Sequence, residues 1–432
     1  MFKTFKNAMS IPEMRRKILY TLFIILLYRI GAAIHVPYTD YEAMQSAFTF
    51  ADGNLFAYLN ILSGDAFSKA TLFALSISPY ITSSIVIQLL TIAIPALERK
   101  SKQGEEGQKF LTQLTRVVTV VLGFLTAFGY YMYMKNYGFL TERGNGVFGA
   151  FVIILCYAAG ASLIMWLAEK INEKGIGNGI SMILFANIIA STAGGVSSMV
   201  QYALGGAWKL VLIEVLLFLA LAIVAFVVFI TNSERRLPVQ YAKKQVGRKM
   251  YGGQSTTLPI KLNMSGVMPI IFASSIVSIP STIEMIIASR LKKGGFWEKF
   301  FDVLSYNSPV YAVFFFILII AFAYFYILIS FNPVEVANNL KKNGGFIPGY
   351  RPGKPTSDYI TKVLNRITLI GALFLGVIAV APLIVNMLTG SQLGSIAFGG
   401  SSLLILVGVI LETERELEAQ MSMRHYKGFL DK

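Results

Sequence analysis

The sequence predicts an all-α polytopic membrane protein of ten transmembrane helices, and three observations lead there. Of its 432 residues, 55% are hydrophobic and only 14% charged. A soluble domain carries about 25% charged residues, so this chain could not cover a globule's surface. The apolar residues fall in repeated continuous runs of bilayer-spanning length, which excludes a disordered chain and differs from the short alternating strands of an outer-membrane barrel. The basic residues, finally, gather on alternate connections between those runs.

Taken in order, the runs place spans near 18–34, 71–94, 111–134, 148–168, 179–196, 208–231, 264–288, 309–331, 363–386 and 395–411. Small residues such as Ala158, Ala159, Gly160 and Ala161 suit close helix packing in lipid. Arg15, Arg16 and Lys17 before the first run resemble the start of a signal peptide. No small-residue cleavage site follows and nine more spans do, so the first run reads as a retained helix. With the N-tail (1–17) in the cytoplasm, 29 of the 38 Lys and Arg lie on that side. Both termini, including the C-tail (412–432), are therefore expected to be cytoplasmic.

Three connections exceed simple turns: an outer stretch at 35–70, and two basic cytoplasmic loops at 232–262 and 332–362. The first half, 18–200, has its long loop after its first span, facing out. The second half, 201–411, has its own after the sixth span, facing in. Two five-helix halves of inverted topology would give this pattern and commonly enclose a central pathway.

Catalytic constellations are missing. The chain has two histidines, His35 and His425, no phosphate-binding loop and one cysteine, Cys156, so no metal, cofactor or internal disulfide is expected. The run from Gly175 to Gly179 reads as a tight turn into a helix start. Glu214 and Arg29 sit near span ends, where they can reach an interface. Mid-span polarity is mild, at Thr82, Ser83, Ser84, Gln88, Asn187, Ser274 and Ser275. Those groups suit either ordinary helix packing or a helix seam that must open. Arg235, Arg236, Lys243, Lys244, Arg248 and Lys249 project well beyond the membrane ends, which favours an acidic protein surface or RNA phosphates as partner. A secondary transporter of small solutes is the alternative, but it should carry a midplane charge or ligand site. An intramembrane hydrolase would need serine–histidine, metal-ligand or paired-aspartate motifs.

Several local sequences are similar to those of one family. Glu234 to Ala242 (ERRLPVQYA) and Gly345 to Gly353 (GFIPGYRPG), with Phe331-Asn332-Pro333, resemble the two large cytoplasmic loops of the SecY family, the channel subunits of the bacterial protein translocase. Pro79 to Ile85 (PYITSSI), Gly175 to Ser181, Asn263 to Ser275 and Met423 to Gly428 match as well, in family order along essentially the whole chain. Asp65 stands where that family often has glycine. Ser76 and Ser78 flank Ile77 where glycine and methionine are common, and Glu412, Glu414, Glu416 and Glu418 make the tail unusually acidic.

The resemblance implies an hourglass pore between the two halves, through which unfolded secretory polypeptides pass. It places Ile77, Ile81, Leu184, Ile271 and Ile405 around the waist. It also implies a short plug helix over about 55–69, including Leu55, Ile61, Leu62, Ser63, Gly64, Asp65 and Phe67. A lateral gate between spans 2–3 and 7–8, with Thr82, Ser83, Gln88, Ser274, Ser275 and Ile279, would release signal and transmembrane segments into membrane lipid. Arg235, Arg236, Lys243, Lys244, Arg248, Arg351, Pro352, Gly353 and Arg424 would dock the ribosome or the motor ATPase SecA. SecE and SecG are the implied partner subunits, signal peptides and nascent chains the implied cargo, and the cytoplasmic membrane the implied location.

Overall fold

The computed structural model describes residues 2–50, 60–203, 206–241, 244–246, 249–251, 255–287, 295–304, 308–389 and 400–430. A helix occupies each of the ten predicted segments: α2 (Pro12–Gly31), α4 (Ser78–Ala93), α6 (Glu105–Tyr137), α7 (Val147–Lys174) and α8 (Gly179–Ala203) in the first half. The second half has α9 (Ala207–Asn232), α10 (Met268–Ile287), α12 (Pro309–Ser330), α14 (Lys354–Thr389) and α15 (Gly400–Leu430). Shorter helices are α1 (Phe2–Ser10), α3 (Tyr41–Phe50), α5 (Pro95–Ser101), α11 (Phe296–Val303) and α13 (Pro333–Lys342). Among the described residues, Glu105–Tyr137, Val147–Lys174, Pro309–Lys342 and Lys354–Ala381 are long and apolar enough to cross a bilayer. Leu26, Phe218, Phe229 and Leu328 are each more than half exposed (57%, 74%, 70% and 75%), as side chains facing lipid would be.

Several helices run past the predicted ends, α14 starting at Lys354 rather than 363 and α7 ending at Lys174 rather than 168, and two further boundaries differ. The second span begins at Ser78 rather than 71, because Ala70 (φ +47°) and Ser76 (φ +52°) are left-handed and residues 71–77 run through turns. Gly160 makes room for that path, since a Cβ there would collide with the Leu72 carbonyl. At its other end α4 stops where Ile94 goes extended before Pro95, and α5 leaves at 105°. The last span, by contrast, continues without a break into the tail as one 31-residue helix.

α4 packs on α6, α6 on α7, α10 on α12, and α12 on α14. α10 of the second half also rests against α4 and α6 of the first, and α15 against α8. One buried apolar cluster is therefore shared between the halves. The loops that the sequence leaves without secondary structure form an antiparallel sheet ordered β4-β1-β5, from β1 (Glu234–Tyr241), β4 (Ser255–Lys261) and β5 (Gly345–Phe346), with a β2–β3 ribbon (Lys244–Val246, Lys249–Tyr251). Leu237 and Val239 point into a separate core with Ile260, Ile347 and Ile360, while Arg236, Pro238 and Gln240 between and beside them face out. The two long loops thus meet, with Gln240 opposite Phe346 and Tyr241 opposite Gly345.

The close passage at Gly160 gives a stability test. Gly160→Val should cost about 1–3 kcal/mol by overpacking, measured as an earlier thermal unfolding transition of the purified protein, whereas Gly123→Ala, whose added Cβ would meet only Ala161 at 3.6 Å, should cost less.

Candidate functional site

Four of the five predicted waist residues line one small cavity: Ile81 from α4, Leu184 from α8, Ile271 from α10 and Ile405 from α15. Leu62, from the connection that precedes α4, joins them, and Ser78, Ser274, Ser275 and Ser278 complete the lining. The fifth, Ile77, is 1% exposed in the same apolar cluster, one residue before α4 begins. The cavity measures about 20 Å³, room for about one water molecule. No hydrated ion fits a space of that size.

Leu62 belongs to the segment predicted as a plug. Leu55 lies outside the described residues. Of the predicted helix, 60–69 lies among the described residues; 60–63 is helical there and tight turns follow through residue 70, so the helix ends at Ser63 rather than near 69. Gly64 (φ +66°) and Asp65 (φ +68°) are the cause, both left-handed. Asp65 and Ser76, the two positions where the family often has glycine, thus adopt the conformation glycine enters most easily. Side chains offset the strain at Asp65: the Asn60 amide donates to the Asp65 carboxylate (3.0 Å) and accepts from the Ser68 amide (2.9 Å). Ser63 Oγ accepts from the Phe67 amide at 3.0 Å.

The segment's far end is held by two buried tyrosines. Tyr130 of α6 donates to the Phe67 carbonyl (2.6 Å), and Tyr157 of α7 donates to the Ala70 carbonyl (3.2 Å). The sequence reading passes over both, since tyrosine in an apolar run looks like packing. It also passes over Arg116 in the third span, which forms a two-pronged ion pair with Glu169 of α7 at 2.8–2.9 Å. That pair ties α6 to α7 where Glu169 is only 7% exposed.

The predicted gate residues lie along α4 and α10, which touch. Their hydroxyls bond within their own helices: Ser83 to the Pro79 carbonyl (2.7 Å), Ser274 to those of Ile270 and Ile271 (2.9 and 3.0 Å), and Ser275 to that of Ile271 (2.9 Å). Gln88 reaches Ser84 on the same helix at 3.4 Å, Thr82 is half-buried, and Ile279 is exposed. A second cavity of about 60 Å³ opens along this seam between Ser76, Pro79, Thr126, Tyr130, Ser278 and Thr282.

Of the predicted docking residues, Arg235 and Arg236 are exposed on β1, with Arg236 drawn to Glu234 at 2.7 Å. Arg351 and Pro352 are exposed in the turn before α14, and Gly353 (φ +107°) shapes that turn. Lys243 and Arg248 lie outside the described residues, as do the side chains of Lys244 and Arg424. The acidic tail has structural work: Glu416 accepts from the Gly177 amide (3.0 Å) and Glu418 from Thr4 (3.2 Å), while Gln420 accepts from Lys17 (2.9 Å).

A bundle of apolar helices, narrowed at an apolar waist against which the 60–70 segment is inserted, defines a polytopic helical channel protein. The SecY family profile matches residues 71–414. The Protein translocase subunit SecY of Streptomyces galbus is 42% identical over 441 residues, covering 100% of both chains. In three dimensions the chain is similar to a solved protein-conducting channel (TM-score 0.64, 17% identity, 94% of this chain and 92% of that one). It is similar also to Sec61 in the canine ribosome-channel complex from the endoplasmic reticulum (TM-score 0.60, 17% identity, 94% and 92%). The chain belongs to the SecY family.

Burial pushes the Asp65 carboxyl up, although Lys69, Arg29 and the Asn60 amide each pull it down. A carboxyl raised in the folded state holds its proton more tightly there, so the stability it contributes falls as pH rises from the ordinary carboxyl pKa through the raised one. Residues 60–69 should therefore seat more firmly as pH falls through that window. Amide hydrogen exchange in this segment, corrected for intrinsic rates, should slow, and Asp65→Asn should remove the dependence.

Proposed function

We propose that this protein is the membrane channel through which unfolded secretory polypeptides leave the cytoplasm, and from which transmembrane segments pass sideways into lipid. The observation that carries this reading is the shut waist: apolar side chains from four helices, drawn from both halves, close to about one water's width beneath an inserted segment. A conduit for every sequence cannot rely on specific hydrogen bonds. An apolar ring of Ile77, Ile81, Leu184, Ile271 and Ile405 excludes ions by dewetting and still yields around a moving chain. Residues 60–69, and the 55–59 stretch before them, act as the plug.

The seam between α4 and α10 is the lateral gate of this reading. Its hydroxyls already satisfy themselves on their own helices, so parting the seam need not break those bonds. A passing segment can then sample lipid, where each central Leu or Ile favours insertion by roughly 0.3–0.6 kcal/mol.

The chain carries no motif for nucleotide hydrolysis, so the driving energy comes from partners. The exposed arginines of β1 and of the turn before α14 sit on loops that one sheet joins, which supports a single docking surface for the ribosome or SecA. An open groove of about 370 Å³, lined by Phe5, Ile18, Leu22, Ile25, Phe185 and Ile410, suits an apolar helix such as SecE would supply, with SecG as a further subunit. The excess of basic residues on these loops supports cytoplasmic termini in the cell membrane, with the halves 18–200 and 201–411 as the two sides of the pore.

Two variants test the assignment. Arg351→Glu should block partner-driven export of a preprotein from a well-folded channel, and normal export would remove the docking role from that turn. Ile81→Ser combined with Ile271→Ser should raise the resting ion conductance of the reconstituted channel, and an unchanged conductance would count against the ring.

A further inference from the structure

Asn187 is a mid-span polar group that belongs to neither the ring, the gate nor the docking loops. It lies on α8 three residues beyond Leu184 and is 0% exposed. Its amide donates to the Leu62 carbonyl at 2.8 Å and approaches Ser76 Oγ at 3.3 Å. Ser76 Oγ donates to the same Leu62 carbonyl at 3.1 Å. One turn on, Ser191 Oγ lies 3.0 Å from the Ile61 carbonyl and 2.8 Å from the Asn187 carbonyl of its own helix, sharing one proton between them. The Ile61 carbonyl also accepts from the Gly64 amide at 3.1 Å. The Leu62 carbonyl stands at the end of the helical stretch 60–63, where a helix leaves oxygens without intrahelical donors, and the Asn187 and Ser76 side chains supply its donors.

The contact is close as well as polar. A Cβ at Gly64 would lie 3.0 Å from both the backbone and the side chain of Asn187, and 2.9 Å from Arg29 Nη1. The Tyr28 hydroxyl is buried in the same region, against Asn187 and Ser76. An apolar residue would fill the Asn187 position at lower cost if packing were its whole task, since burying a polar side chain is unfavourable unless its hydrogen bonds are made.

We infer that Asn187, with Ser76 and Ser191, is a latch that holds the plug in the shut waist by gripping the main-chain carbonyls of Leu62 and Ile61. The inference rests on reading residues 60–69 as the plug. It assigns to polar contacts a task separate from that of the apolar ring: the ring closes the waist, and the latch fixes how readily the plug departs. When the plug leaves, water entering the opened pore takes over the freed donors, so the device favours the shut state without trapping it. Because it grips backbone oxygens, the plug's side chains are free to pack on the ring.

The test uses the full chain with its partner subunits in proteoliposomes, in a Cys156→Ser background carrying Ser68→Cys. Ser68 is 5% exposed, so a membrane-impermeant maleimide should label the introduced thiol slowly while the plug is seated. Asn187→Leu, which keeps the volume and removes the donors, should speed labelling about tenfold, the factor carried by one or two lost neutral hydrogen bonds. Ser191→Ala should do so more weakly, and it serves if the first variant fails to fold. Adding Ser76→Ala to Asn187→Leu should give less than the product of the separate effects, since both donors serve one carbonyl. Unchanged labelling in Asn187→Leu and Ser191→Ala, or strictly multiplicative effects, would overturn the latch. If a translocating chain also fails to speed labelling in the Ser68→Cys parent, the plug reading itself fails, and the two results separate the failures.

Discussion

Closure of the waist by side chains alone is the constraint on which the rest of the structure depends. Irregular backbone is tolerated at membrane depth only where protein buries it or it lines a cavity, so the narrowest level falls to the side chains of the helices themselves. The seal has to come from branched apolar side chains meeting at one level. Ile81, Leu184, Ile271 and Ile405 do this from four helices and leave about 20 Å³ between them. Since those helices come from both halves, the halves have to stay in register, and the shared apolar cluster provides that register.

Around the seal, polar groups are divided by where their partners lie. Along α4 and α10 the Ser83, Ser274 and Ser275 hydroxyls turn back onto their own helices. Around the 60–70 segment the pattern reverses. Tyr130, Tyr157, Asn187, Ser76 and Ser191 each reach across to backbone oxygens of the 60–70 segment. Side-chain contacts between elements thus gather on this one segment. The Arg116–Glu169 pair serves a third purpose, fixing α6 to α7.

The loops show the same economy. Leu237 and Val239 alternate with exposed residues over one short strand, which buries one edge against α14 and its neighbours and presents Arg235 and Arg236 outward. Pro238 is tolerated in the middle strand because β5 pairs only at Gln240 and Tyr241. The tail's glutamates, which look anomalous as a docking surface, cap the Gly177 amide and hold α1.

Much of the fold was legible in the residues alone. Apolar runs long enough for lipid marked all ten helical segments, because a membrane reads average hydrophobicity over about 20 residues and little else. The basic loops and the absence of catalytic groups were equally plain, and ordered motifs pointed to the family. What remained hidden depended on pairings between distant residues. That Ser76 and Asp65 would be left-handed, that the helix predicted through 69 would end at Ser63, and that two loops would share a sheet follow from contacts across the chain. Asn187 could be seen as an odd polar residue in a span. Only the folded chain brings it to the Leu62 carbonyl, 125 residues away. Hydrophobic length is local and additive, so sequence determined the helices, whereas hydrogen-bond partnership is a matter of position, so tertiary structure decided how the channel is shut.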